Sequence, residues 1–591
     1  GELERSGADE AAAGRNALAA TRLWWASSLS GDLADRERRL LGACAQSLLT
    51  MQPAWSAKLR HQVEDCAPGS LRSCVLGILD MMAGRLPSAE AHLTQAWREA
   101  LSEPTADSVA VLAGTFLANI TLWHGRGAET VEIARRTLAL GGLDPTTTDF
   151  TRAVLATGRL WDQGPSAALK DLSHLPADSS AVRNDSLDTL ATRGVLRLFL
   201  GKLPAARADL RTVAQRDRQG AGSKLGPLTL SLLSVVQYLA GEWDESEPTA
   251  DQALAVAGAH DQLFGDAAAR FAAVCVRAGR GEWDSAQRHI DDLTRLARTL
   301  GASTEIVYSA LAGATLAQAR ADFPAMLRAL RPLLDDPADP RASTPDPLGV
   351  PPDPPGGPSS AAGGFRLRFK PFWLWQQSLL VEALTGCGLL DSAERALRDL
   401  REGFDGTGYL GVVTARLAGL LAEAQGRPRD ALVIYRQALA AVAGADADAD
   451  AAPFHRARLE HAYGRLLLAT GSTSRRDAAT WLNTAHGRFS ALRAAPFVRR
   501  CDADLAASGL TAPDDAPSQL LSLTERELSV AYVIAGGRTN QEAAAELYVS
   551  QKTIEYHLSH IYAKLGISSR RHLADALRTR EGGSGTVRPV P

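Results

Sequence analysis

Between Ser550 and Lys564 the chain reads SQKTIEYHLSHIYAK. Hydroxyl, phenol, imidazole, carboxylate and ammonium groups alternate there with Ile554, Leu558, Ile561 and Leu565. Those four recur at i, i+4, i+7 and i+11, which predicts a helix with one buried stripe and a polar opposite face. From Tyr548 to Arg580 the bases Lys552, Lys564, Arg570, Arg571, Arg578 and Arg580 stand against Glu555 and Asp575, a local +4 within a chain of −3. Positive charge concentrated on one short helical segment suits a phosphate backbone. Glu555 would repel phosphate, but a carboxylate accepts a hydrogen bond from cytosine N4.

Other chemistry is poorly supported. GTGYLG at Gly406–Gly411 fits G-x-G-x-x-G by letter, but a dinucleotide site needs a preceding strand and an acidic residue about 20 positions on. Helical sequence surrounds it, so a turn is expected. QGAGSK, ending at Lys224, lacks the G-x-x-x-x-G-K-[ST] spacing of a phosphate loop. No HExxH and no G-x-S-x-G is present. Cys44, Cys66, Cys74, Cys275, Cys387 and Cys501 lie far apart, without a CxxC pair, so neither a zinc cluster nor a disulfide framework is expected. No enzyme activity, cofactor or metal is anticipated.

The elements around the polar helix are punctuated by capping signals. Thr524 with Glu527, and Thr539 with Glu542, have the spacing of capping boxes that open two helices. Gly536 and Gly537 close the first, and the second ends near Leu547. Ser550 caps the third, Gly566 ends it, and a fourth starts near Ser569. Two short helices joined by a tight turn, the second carrying one buried stripe, describe a helix-turn-helix.

The rest of the 591 residues reads differently. The hydrophobic fraction is 45% and the charged fraction 22%, as in a chain that buries a large core. No apolar run reaches the roughly 18 residues of a membrane span, and the N-terminus shows no signal peptide. A cytoplasmic protein with no membrane partner is expected. The first residue is Gly and the chain opens on what reads as mid-domain helix, the opening expected of a fragment.

Ala, Leu, Arg and Glu at three- and four-residue spacing predict helix throughout residues 1–508. A longer period lies above this: GRLPSA from Gly84, GRGAET from Gly125, GKLPAA from Gly201, GEWDES from Gly241, GEWDSA from Gly281, GLLDSA from Gly388 and GRPRDA from Gly426, with a looser copy after Gly471. The steps 84 to 125, 201 to 241, 241 to 281 and 388 to 426 are 41, 40, 40 and 38 residues, and a step near 40 suits two helices and two turns. Each Gly is expected to end one helix in a left-handed conformation, and the small residue at +5 to let two helices approach. The pattern resembles tetratricopeptide repeats, with Trp243 and Trp283 at the aromatic position, though the period exceeds 34. Pro332–Pro358 contains ten prolines and is expected to form a surface loop, as is the acidic run 445–451. Phe372, Trp373 and Trp375 are read as helix-packing core, with a ligand pocket as the alternative. Trp24 and Trp25 are read as core.

Leu523-Thr524-x-Arg526-Glu527, Thr539-Asn540-x-Glu542-x-Ala544, Ser550-x-Lys552-Thr553-Ile554-Glu555-x-His557-Leu558 and Ile561-Tyr562-x-Lys564-Leu565-Gly566 together resemble the LuxR-type DNA-binding domain over about 55 residues. The repeats and the opening ELERSGADEAAAGRNALAATRLWWASSL resemble the large ATP-binding regulators of that family, whose P-loop ATPase has no counterpart in this sequence. The resemblance implies base-reading roles for Glu555, Tyr556 and Ser559. It implies phosphate contacts for Lys552, Thr553, His557, His560 and Lys564, with Thr539 and Asn540 from the preceding turn, and a dimer contact at Leu573 and Leu577, which serve equally well as core.

The expected architecture is all-α. A TPR-like α-solenoid of about ten helical hairpins (1–508, with a Pro-rich insertion at 332–364) is followed by a linker (509–519), a four-helix LuxR-type helix-turn-helix domain (520–580) and a flexible tail (581–591). The expected function is a transcription regulator, an activator, that binds operator DNA as a homodimer or higher oligomer, contacts RNA polymerase, and receives a signal from a ligand or protein on the solenoid. The rivals are a protein-interaction scaffold and the C-terminal part of a signal-transduction NTPase.

Overall fold

The computed structural model describes residues 1–50, 54–103, 107–142, 144–259, 263–334, 372–403, 408–444, 452–509, 525–547 and 550–565, together with Arg570 and Leu573. Among them every regular element is helical. The acidic run 445–451 and nearly all of the proline-rich segment lie outside the described residues. Pro332 is a correction: it sits in a 3-10 turn, Arg331–Leu333, that continues the helix Phe323–Leu330, because Leu333 is buried against the same core and carries the turn inward.

The turns follow the glycine rule. At Gly84, Gly125, Gly201, Gly241, Gly281, Gly388, Gly426 and Gly471 φ lies between 61° and 89°, a region that a Cβ disfavours. At the first seven the next residue's N–H reaches back five positions, as from Arg85 to the Asp80 carbonyl (2.8 Å) and from Glu242 to the Gln237 carbonyl (2.8 Å). That bond satisfies a helix-end carbonyl otherwise left without a donor. The residues five places on (Ala89, Thr130, Ala206, Ser246, Ala286, Ala393 and Ala431) have 0% exposure. Each is a small residue on the buried face of its helix.

The same turn occurs where the spelling hides it. Gly14 adopts φ 72°, Arg15 bonds back to the Glu10 carbonyl, and Ala19 is the buried small residue. Ala321 (φ 58°) and Arg493 (φ 54°) make the turn without glycine, with Asp322 and Ala494 bonding back to Ala317 and Phe489. Ala321 falls 40 residues after Gly281, so the period continues across a position that a search for glycine passes over.

From Ser70 to Ala491 the described helices pair as ten hairpins, stacked in sequence order. Seven of them occupy Leu187–Phe199 with Leu203–Arg218, Gly226–Leu239 with Trp243–Ala259, Leu263–Arg280 with Trp283–Leu300, Ser303–Arg320 with Phe323–Leu330, Trp373–Gly386 with Leu390–Glu402, Gly408–Ala424 with Pro428–Gly444, and Pro453–Thr470 with Arg475–Ala491. The array curls until earlier turns meet later helices. A methyl group placed on Gly241 would lie 2.3 Å from Pro453 Cγ, and one on Gly201 3.1 Å from Leu410 Cδ1. Asp244 pairs with Arg493 at 2.8 Å, and Arg500 donates to the Ala319 carbonyl. One apolar core therefore runs from Leu198 to Cys501.

Phe372 and Trp375 belong to that core. The Phe372 ring centroid lies 4.7 Å from Phe199 and 5.5 Å from Phe271, and Trp375 meets Phe271 at 5.5 Å. Trp24 and Trp25 correct the sequence reading. They are 37% and 50% exposed because their helix, Asn16–Ser28, packs through Ala19, Ala20 and Ala26 instead, and Trp24 meets Trp55 edge-on at 6.2 Å.

Candidate nucleic-acid interface

The C-terminal segment builds its polar face on a small apolar core. Val530 and Ile534 of the first helix (Glu525–Ala535), Ala543 of the second (Asn540–Glu546), Ile554, Leu558 and Ile561 of the third (Gln551–Leu565), and Leu573 are buried together. The stripe read from periodicity is thus the face that docks, apart from Leu565, whose side chain lies outside the description. The opposite face must then meet solvent.

The turn before the second helix is fixed from both ends. Thr539 Oγ1 accepts from the Glu542 N–H (3.2 Å), and the Glu542 carboxylate accepts from the Thr539 N–H (2.7 Å). The Thr539 backbone N–H and hydroxyl hold the Glu542 carboxyl below its usual range. This is the expected capping box, and it leaves Asn540 half-buried at the helix start. Thr524, expected to open the first helix in the same way, lies outside the described residues. Ser550 Oγ accepts from the Thr553 N–H at 3.1 Å and caps the third helix.

Along the third helix Lys552, Glu555, Tyr556, Ser559 and His560 are exposed, while Thr553 and His557 are half-buried. Gln551 donates to Glu555 (3.0 Å), and Ser559 donates to the Glu555 carbonyl (3.0 Å). Tyr556 is 61% exposed and its ring lies 4.3 Å from that of His560. Of the base-reading and phosphate-contacting positions implied by the family resemblance, Lys552, Glu555, Tyr556, Ser559 and His560 therefore face solvent. Lys564 stands apart: its ammonium donates to the buried Glu527 carboxylate at 2.7 Å and ties the third helix to the first. Leu573 has no exposure and lies in the core, and Leu577 is outside the described residues.

Two contacts escaped the sequence reading. Glu527 shares the buried face of its helix with Ala531 and Ile534 at i, i+4 and i+7. A carboxylate at such a position announces a partner, and that spacing was the available signal. Arg570 donates to the Ile534 (3.4 Å) and Arg538 carbonyls, neutralising the C-terminal end of the first helix. No short-range pattern links Arg570 to that helix.

Residues 521–577 match the model for bacterial regulatory proteins of the luxR family, and this segment is a LuxR-type helix-turn-helix domain. A putative HTH-type transcriptional regulator of Mycobacterium tuberculosis is 42% identical over 59 residues, 10% of this chain and 7% of that protein. The probable HTH-type regulator GfsR of Streptomyces halstedii is 42% identical over 80 residues, 14% of this chain and 32% of that protein. The regulatory protein LiaR of Bacillus subtilis is 43% identical over 53 residues, 9% of this chain and 25% of that protein. The matched segment thus spans less than a third of each relative. Among solved structures, that of the APC/C hetero-tetramer Cut9-Hcn1 aligns at a TM-score of 0.45 and 11% identity over 98% of this chain and 96% of that one.

Proposed function

We propose that this chain is a sequence-specific transcription activator whose third C-terminal helix reads operator DNA and whose helical array receives the signal. What supports the reading is one observation. In a segment of LuxR type, a single helix turns Lys552, Glu555, Tyr556, Ser559 and His560 to solvent, and a capping box orders the Thr539–Asn540 turn of the helix before it. Glu555, Tyr556 and Ser559 are assigned to base edges. Lys552, Thr553, His557 and His560, with Thr539 and Asn540, are assigned to phosphate. Lys564 keeps a phosphate assignment only at the edge of the contact, since its ammonium is already engaged with Glu527.

A helix of this length covers one half-site, so a homodimer or higher oligomer would set two in register, with Leu577 in the contact. The working place is the cytoplasm, and RNA polymerase is the partner of an activator. Among the described residues no helix is long and apolar enough to cross a membrane.

The test is selection by the full chain from a pool of random duplexes, which should enrich one motif. Tyr556→Ala should then cost roughly 1–3 kcal/mol on that motif and little on scrambled DNA. Equal losses on both would remove Tyr556 from the base-reading set. A pool that never converges would defeat sequence-specific recognition altogether.

A further inference from the structure

The first helices of the closing hairpins meet around a small internal chamber whose walls include Thr315, Trp375, Glu382, Arg416, His455 and Arg458. They come from the helices Ser303–Arg320, Trp373–Gly386, Gly408–Ala424 and Pro453–Thr470, so the chamber exists only because the array curls. Its charge does not balance. Glu382 accepts from Gln318 (2.8 Å), from Arg416 (2.7 Å) and from Arg458, and one carboxylate thus serves two buried guanidinium groups. Arg500, 4.6 Å from the Phe497 ring centroid and donating to Ala319, adds a third cation close by. Excess charge away from water is costly unless something neutralises it.

Several polar atoms around this excess have no hydrogen-bond partner among the described residues: Arg416 Nε, Thr315 Oγ1 and both ring nitrogens of His455. Arg416 and Thr315 are each 4% exposed. Burial and the two arginines push the His455 imidazole down to about 3, so it is neutral, with one nitrogen to donate and one to accept. The free space between the walls is about 30 Å³, enough for one or two waters or for the two oxygens of a carboxylate in their place.

We infer that the chamber binds the oxyanion of a small acid, held by Arg416 and Arg458 against the Trp375 wall. A carboxylate fits better than a tetrahedral anion, since guanidinium offers a planar pair of donors to a planar pair of acceptors and the space is narrow. The inference gives chemistry to the signal-receiving role proposed above and rests on that reading only for its consequence at DNA.

Binding is tested first without DNA, by calorimetric titration of the full chain at constant ionic strength in chloride with acetate, benzoate and inorganic phosphate. One saturable site is expected for a carboxylate. Benzoate stronger than acetate identifies an acid with an apolar body, and phosphate alone would overturn the carboxylate assignment. Arg458→Gln leaves Arg416 and Glu382 balanced and should weaken binding at least about tenfold, the factor set by 1.4 kcal/mol. Glu382→Gln keeps the shape and raises the excess charge, so binding should tighten. If Arg458→Gln does not fold, Thr315→Val serves, with a loss of about threefold or more for one hydrogen bond. No saturable binding by any probe, or binding indifferent to these substitutions, overturns the site. The selected DNA is then titrated with and without the acid: binding without a change at DNA would retain the site and refute the sensory role.

Discussion

The helical array and the C-terminal domain place their polar groups in opposite ways. In the array, Glu382, Arg416 and Arg458 lie inside, where the first helices converge. In the C-terminal domain the core is nearly all apolar, and the varied hydrogen-bonding groups stand on the outer face of one helix. The difference follows from what each can enclose. A curled array of hairpins surrounds a volume, which suits a compact ligand. The described helices of the C-terminal domain are short and pack on one small core, so what they offer is a surface, which suits a partner as large as a duplex.

The sharpest break in that comparison is Glu382→Ala. It strands two buried guanidinium groups and should cost about 3–5 kcal/mol in urea unfolding of the array. Glu555→Ala, an exposed carboxylate on the third C-terminal helix, should stay within about 0.5 kcal/mol. A loss below about 1 kcal/mol at Glu382 would show that water already neutralises the chamber. Lys564 belongs to both patterns, being a cation of the polar helix bound to a buried carboxylate. Lys564→Ala should therefore lower the stability of the C-terminal domain by about 1.5–3 kcal/mol. Lys552→Ala should leave stability alone and reduce the log–log salt slope of DNA binding by about one.

A subtler contrast lies in acids without a cation. Glu305, 1% exposed, has burial pushing its carboxyl up to about 7, against a hydrogen bond from Thr304 at 2.7 Å and one from its own backbone N–H. The folded value lies above the unfolded one, so stability is fully present below about pH 4.5 and is lost as pH rises toward 7. Glu305→Gln removes that dependence. Its advantage over the parent should grow across the interval and level off above it, on the order of 1–3 kcal/mol. A pH-independent difference would mean that Glu305 is solvated. A modest effect is expected at the exposed cap: Thr539→Ala should cost about 1 kcal/mol, read from thermal unfolding of the C-terminal domain.

Much of this was legible in the residues, because short-range rules govern it. Left-handed turns need glycine, small residues mark close helix approaches, and a stripe such as Ile554, Leu558 and Ile561 has one way to be buried. The turns at Ala321 and Arg493 were hidden because tertiary packing imposed a backbone conformation their own side chains disfavour. The Glu527–Lys564 pair and the Glu382 cluster were hidden because they join residues 34 to 76 positions apart. Trp24 and Trp25 misled because an aromatic pair carries no mark of which side of a helix faces outward.

The closure of the array also changes how it must melt. A stack in which each repeat touches only its neighbours unravels from its ends, with a stability close to a sum over units and interfaces. Here Gly201 and Gly241 abut Leu410 and Pro453, and Asp244 grips Arg493, 249 positions away. The chain from Leu198 to Cys501 therefore loses the freedom to fray. Its hairpins open together or not at all, and cutting away the last of them, Pro453–Ala491, should loosen the distant turn at Gly241 as readily as the neighbouring one at Gly426.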